Sequence, residues 1–182
     1  MPSFLTGARL SAGVNHVVAA PAVTGTVDMI VCRPKVGERR VLDKGELVPG
    51  EGLVGDNYLV RGDPRTDDGS AHPEAQLNLM SSRAIDLVAD GDRERWPLAG
   101  DQFFVDYDLS VDNLPTGTCL QLGTAVIEVT AIPHNGCAKF ADRFGKDAAR
   151  WVNSSKMHRF RGINASVVEP GEVQVGDQIT KI

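Results

Sequence analysis

A chain of 182 residues, 42% hydrophobic and 24% charged, has the make-up of one globular domain with a real core, which excludes a disordered or low-complexity chain. A formal net charge of −5 gives no positive field to attract a nucleic-acid backbone or an anionic membrane, and no apolar run approaches the ~20 residues of a membrane span. Three cysteines without a CxxC pair point away from a disulfide framework or structural zinc and fit a reducing, cytoplasmic setting.

In chain order, residues 1–24 mix Gly, Ala, Ser and Val without a sustained period and read as an N-terminal arm, ahead of a single domain over residues 25–182. Thr26–Cys32 is a strand ended by Pro34, with Cys32 in the core. Val41–Asp43 and Glu46–Val48, separated by Lys44-Gly45, have the grammar of a hairpin. Gly55-Asp56 is a turn in which the carboxylate accepts backbone N–H groups. Arg61–Ala75 lacks large apolar side chains and reads as a long loop, with His72 a candidate substrate contact. Gln76–Met80 alternates as a strand, Ser81 caps a helix that stops at Gly91, and Phe103–Leu109 is extended after a second Gly-Asp pair at Asp101. Thr118–Leu122 and Ala125–Thr130 form a hairpin around Gly123-Thr124, with Cys119 inside its first strand.

The segment Ile132-Pro133-His134-Asn135-Gly136-Cys137 joins that hairpin to an amphipathic helix, whose Phe140, Phe144, Ala148 and Trp151 repeat on one face as core. Two readings of Cys137 stand: a small apolar residue under the helix, or an exposed thiol whose ionised form the helix start and Lys139 favour. The polar, turn-rich approach suits the second, with His134 a candidate thiol base. A basic cluster, Lys156, His158, Arg159 and Arg161, leads into a strand at Gly162–Val168, and Pro170-Gly171 turns the chain into two last strands. Many short strands, glycine turns and few helices predict a mainly antiparallel β-barrel with peripheral helices.

The ordered set Gly52-Leu53-Val54-Gly55-Asp56, Leu98-Ala99-Gly100-Asp101-Gln102-Phe103, the hairpin at Gly123, the Cys137 junction, Arg161-Gly162-Ile163-Asn164-Ala165 and Val175-Gly176-Asp177 resembles the MOSC domain, the module at the C-terminus of molybdenum cofactor sulfurase and in small stand-alone bacterial proteins. The resemblance implies a MOSC-like barrel with Cys137 as functional cysteine. In one family activity the thiol carries sulfur as a persulfide received from a pyridoxal-phosphate-dependent desulfurase, so that pyridoxal phosphate belongs to the partner. In the other the domain binds molybdenum cofactor, Cys137 ligates the metal, and N-hydroxylated compounds are reduced with electrons from an external donor. Lys139, Arg159, Arg161 and Asn164 are the candidate cofactor-binding residues. The reductase branch's His-Gly-Gly segment is replaced here by Ala71-His72-Pro73-Glu74-Ala75, so no contact is carried over there. The rival from another class is a non-catalytic binding module whose barrel holds an anionic ligand or protein partner while Cys137 is inert.

Overall fold

The computed structural model describes residues 4–182. Two short helices, α1 (Gly7–Ala12) and α2 (Val14–Val18), precede strand β1 (Thr24–Cys32), which begins where β-branched and apolar residues take over. There follow β2 (Arg40–Leu42), β3 (Lys44–Val48), β4 (Gly52–Leu53), α3 (Tyr58–Arg61) and, after a 3₁₀ turn at Pro73–Ala75, β5 (Leu77–Ser81) and α4 (Ser82–Val88). A 3₁₀ segment over Arg93–Ala99 leads to β6 (Phe103–Asp106), the hairpin β7 (Cys119–Leu122) and β8 (Ala125–Val129), helices α5 (Ala138–Phe144) and α6 (Lys146–Val152), and strands β9 (Ile163–Glu169), β10 (Gly171–Gln174) and β11 (Gln178–Lys181).

Seven strands close into a barrel in the order β1, β11, β7, β8, β9, β5, β6 and back to β1, with β2 as a flap on β1. The barrel is mixed rather than purely antiparallel: β5 and β6 run parallel, Leu79 beside Phe103. A parallel pair needs a long crossover, and the stretch carrying α4 and the Arg93–Ala99 segment supplies it by returning the chain to the same end. Strand alternation sorts the core into two masses. Val27, Ile30, Phe103, Val105, Leu120 and Ile127 fill the interior. Met29, Val31 and Phe104 face outward, against Ile85 of α4, Phe140 and Phe144 of α5, and Trp151 of α6.

Three local expectations change. Val41–Asp43 and Glu46–Val48 do not pair with each other: β2 pairs with β1, whereas β3 pairs with β10 and β4 in a second small sheet. Gly45 lies inside β3 and is no turn residue; a Cβ there would come within 2.5 Å of Leu53 Cδ1, so its glycine serves close packing. The apolar stripe after Cys137 is buried as expected, but the helix breaks at Gly145 (φ 93°, ψ 159°) into α5 and α6. Ser81 does stand at the N-cap of α4, without a side-chain capping bond. Of residues 4–23, Leu5, Leu10 and Val17 join the outer core, and the Gly7 N–H donates to Asp147 of α6 (3.0 Å).

Candidate functional site

β6 runs antiparallel to β1 and parallel to β5, so residues just after β1, at the start of β5 and just before β6 share one rim. Asn164, opposite Asn78 in the β5–β9 ladder, brings the start of β9 to the same place. The rim is held by buried polar groups. Arg33 lays the Nε and one terminal nitrogen of its guanidinium on Asp56 (2.9 and 2.8 Å), while its own backbone N–H donates to the same carboxylate (2.9 Å). Its other terminal nitrogen donates to Asn78 Oδ1 (3.0 Å) and to the Gly100 carbonyl (2.9 Å). Asn78 then donates to Asn164 Oδ1 (2.6 Å), and Asn164 donates to the Ile132 carbonyl of the junction (3.0 Å). With carboxylate, guanidinium and amides each partnered, the burial of charge is compensated.

A second ion pair mirrors the first. Asp101, fully buried, accepts from Arg161 (2.6 Å) and meets His134 Nε2 at 2.7 Å. Arg161 also donates to the Ala99 carbonyl (3.0 Å), and its guanidinium carbon sits 5.0 Å from the Phe140 ring centroid. Burial pushes the Asp101 carboxyl up, but Arg161 and His134 pull it down further, to about 2. Burial and the Arg161 cation outweigh Asp101 at His134 and lower its pKa below the ordinary 6.5. The ring is therefore neutral at neutral pH, with its proton on the Nε2 that faces the carboxylate and a lone pair left on Nδ1.

Cys137 is exposed and stands at the N-cap of α5, one residue ahead of the first turn. The residue before it is pinned: the Gly136 N–H donates to Asn153 Oδ1 (2.8 Å), and Asn153 Nδ2 donates back to the Gly136 carbonyl (3.0 Å). Beside the thiol opens a cavity of about 520 Å³ whose walls carry Arg33, Arg39, Arg61, Arg143, Arg161 and Lys139, with Asp142 as its one acid. Arg33 and Arg161 are neutralised by Asp56 and Asp101, and Arg39 and Arg143 spend N–H groups on the Pro97 and Leu98 carbonyls. Among the described residues no carboxylate pairs with Arg61 or Lys139, so the cavity carries uncompensated positive charge in an acidic protein.

The MOSC domain family model matches residues 66–180, well over half of the chain. The chain belongs to the MOSC domain family. As a family, MOSC domains are linked to molybdenum cofactor. The fold is similar to that of the YUAD protein of Bacillus subtilis (TM-score 0.61, 17% identity, covering 86% of this chain and 94% of that one). It is also similar to YiiM of Escherichia coli (TM-score 0.56, 21% identity, 86% and 69%) and YiiM of Geobacillus stearothermophilus (TM-score 0.57, 12% identity, 87% and 75%). No curated protein sequence matches the chain. Among the described residues, no helix is long and apolar enough to cross a membrane.

In this MOSC barrel four of the residues singled out from sequence, Cys137, His134, Lys139 and Arg161, line one cavity. Asn164 lines an adjoining space of about 310 Å³ with Arg61, Asn78 and His134. Arg159 lies elsewhere: it donates to the Leu114 carbonyl (2.6 Å) from a backbone at φ 47°. No hydrogen bond joins His134 to Cys137 among the described residues, and the ring's Nε2 is held by Asp101. His72 caps the Pro73–Ala75 turn, accepting the Glu74 N–H at Nδ1 (3.2 Å). Sequence reasoning passed over Arg33, Asn78 and Arg61. It read Asp56 and Asp101 as turn residues; Asp56 does accept the Arg33 and Tyr58 N–H groups, but each carboxylate also receives a distant arginine. The repeated Gly-Asp pair was the available signal.

Proposed function

We propose that this MOSC protein binds molybdenum cofactor in the Cys137 cavity, with the Cys137 sulfur as protein ligand to the metal. The observation that carries the reading is an exposed thiol at the edge of a cavity of about 520 Å³ in which the Arg61 and Lys139 cations lack carboxylate partners. That volume lies within the ~300–1,000 Å³ of cofactor sites. The donor set fits as well. Among the described residues there is no group of three or more His, Cys, Asp or Glu able to hold a bare metal ion. A lone soft sulfur suits a metal that arrives with its other ligands, and free cations suit a phosphate-bearing organic part. Arg61 and Lys139 would hold the phosphate, and Arg161, locked by Asp101 and Phe140, would form a fixed wall of the site. When bound, the cofactor supplies a two-electron centre for reducing N-hydroxylated compounds, fed by an external electron donor. His134, neutral at neutral pH, lines this cavity and would be a candidate to accept a proton or an N–H from a ligand there.

The exposure of the sulfur favours a second reading, sulfur carriage. The thiolate would attack the terminal sulfur of a desulfurase-bound persulfide, forming an S–S bond on Cys137 as the desulfurase cysteine leaves as thiolate; pyridoxal phosphate stays with that partner. One pair of measurements separates the readings. Protein made in cells with intact cofactor biosynthesis is assayed for molybdenum per chain, in wild type and Cys137→Ser. Near-stoichiometric metal that the variant loses supports the ligand role. An intact-mass gain of one sulfur after incubation with desulfurase and cysteine, absent from Cys137→Ser, supports the carrier role. Neither signal would leave a non-catalytic module for anionic ligands or partners.

A further inference from the structure

On the other face of the Pro133–Asn135 loop lies a second cavity, of about 390 Å³, between the end of α6, the segment leading into β9 and the junction. Its floor is apolar, with Val111, Ile132, Val152 and Ile163. Its polar wall carries Lys156, Arg159 and Arg161 and not one carboxylate, although the chain as a whole has 24 acidic residues against 19 basic. Several donors on that wall are unspent. Among the described residues the Lys156 amine makes no hydrogen bond or ion pair, and Arg159 uses only one terminal nitrogen, on the Leu114 and Leu109 carbonyls. Arg161 is 6% exposed, and its Nε is buried without a partner. With no carboxylate on the wall to answer Lys156 and Arg159, their free N–H groups are left for an acceptor that the protein does not supply.

We propose that this cavity is a second small-molecule site, which takes an organic anion with an apolar body: the body on the Val111–Ile163 floor, the charged group against Lys156 and Arg159. The site stands apart from the Cys137 cavity, yet its wall is shared with it. His134 and Arg161 line both, and Asn153, which clamps Gly136 beside Cys137, lines this one. An anion seated here rests one side chain away from the thiol's own support. The proposal does not depend on the metal reading, because anion binding is read on the metal-free chain.

The test is a titration of ¹⁵N-labelled, metal-free protein with benzoate and, in parallel, neutral benzamide, following backbone amide shifts. Expected are saturable benzoate shifts confined to residues 111, 130–135 and 152–164, with benzamide at least fivefold weaker and Lys156→Gln weakening benzoate about fivefold. Val111→Trp, which fills the floor, should abolish binding of both. Should that variant misfold, Lys156→Glu takes its place: an exposed side chain with reversed charge, expected to abolish benzoate binding and spare benzamide. The absence of saturable shifts, equal affinity for the two probes, or shifts centred on residues 33–39 and 137–143 would each overturn the proposal.

Discussion

Asp101→Asn removes one buried negative charge with almost no change of shape. In the native protein one carboxylate oxygen meets His134 at 2.7 Å and the other takes an Arg161 N–H at 2.6 Å. An amide has one oxygen, so either Arg161 or His134 must face an NH₂ group, and the Arg161 charge loses its compensation in a buried setting. Removing one partner of such a pair costs about 3–5 kcal/mol. Linkage gives a second, lower bound. A carboxyl held at about 2 rather than 3.8 contributes about 2 kcal/mol at neutral pH, before the stranded arginine is counted. For a domain of this size, ~3 kcal/mol lowers Tm by roughly 6–12 °C. The sign with pH follows from the depressed pKa: the contribution is complete above the unfolded value and is lost as pH falls through the folded one. Urea unfolding of wild type and variant should therefore show the full gap at neutral pH, closing between about pH 4 and about pH 2. A gap under about 1 kcal/mol at neutral pH, or one that does not change across that window, would refute the assignment of Asp101 as the charge that holds Arg161 and His134.

Asn153→Ala removes both bonds to Gly136 at an exposed position, so stability should fall by only about 1 kcal/mol, while the rate of Cys137 alkylation by iodoacetamide changes at least threefold; Asn153→Asp, which keeps the acceptor for the Gly136 N–H, should lie between. Equal alkylation rates in all three proteins would show that the clamp does not position the thiol. Gly162→Ala places a side chain at φ 106° and drives its Cβ into the Leu79 carbonyl oxygen, so a loss of at least ~3 kcal/mol or outright misfolding is expected by denaturant titration. Leu10→Ala, in a fully buried side chain of α1, should cost about 2–5 kcal/mol, and a change under 0.5 kcal/mol would mean that α1 does not contribute to the outer core in solution.

The hairpin β7–β8, the stripe through Phe140, Phe144, Ala148 and Trp151, and the run of strands after Gly162 were legible because each is written in local periodicity. The direction of β5 against β6 was not, because alternation has the same period in parallel and antiparallel strands and only the crossover decides. The exposed thiol was legible from the turn residues around it. Its surroundings were less so. Asp101 and Arg161 are separated by 60 residues, and Arg33 and Asp56 by 23, and nothing in either spacing announces that a buried guanidinium waits for a Gly-Asp pair. The same limit placed Arg159 at the thiol with Arg161, two residues apart in sequence, although it lines the second cavity and not that of Cys137. The left-handed backbone at Arg159 and Gly162 turns the arginine toward the Leu114 carbonyl and away from Cys137.

The ring shuts between β1 and β11 through the pairs Thr24 with Thr180, Gly25 with Ile179 and Thr26 with Gln178, continued by Val27, which bonds the backbone of Gly176 and Asp177. The partners in those β1–β11 pairs stand more than 150 positions apart along the polypeptide, so this seam carries the heaviest loop-closure cost in the molecule and is a natural final step of folding. Until it forms, β1 and β11 each present an open row of unpaired amides and carbonyls to other newly made copies. Slowing that last zip, for example by a proline within β11, would divert chains toward aggregation rather than toward a loosened native state.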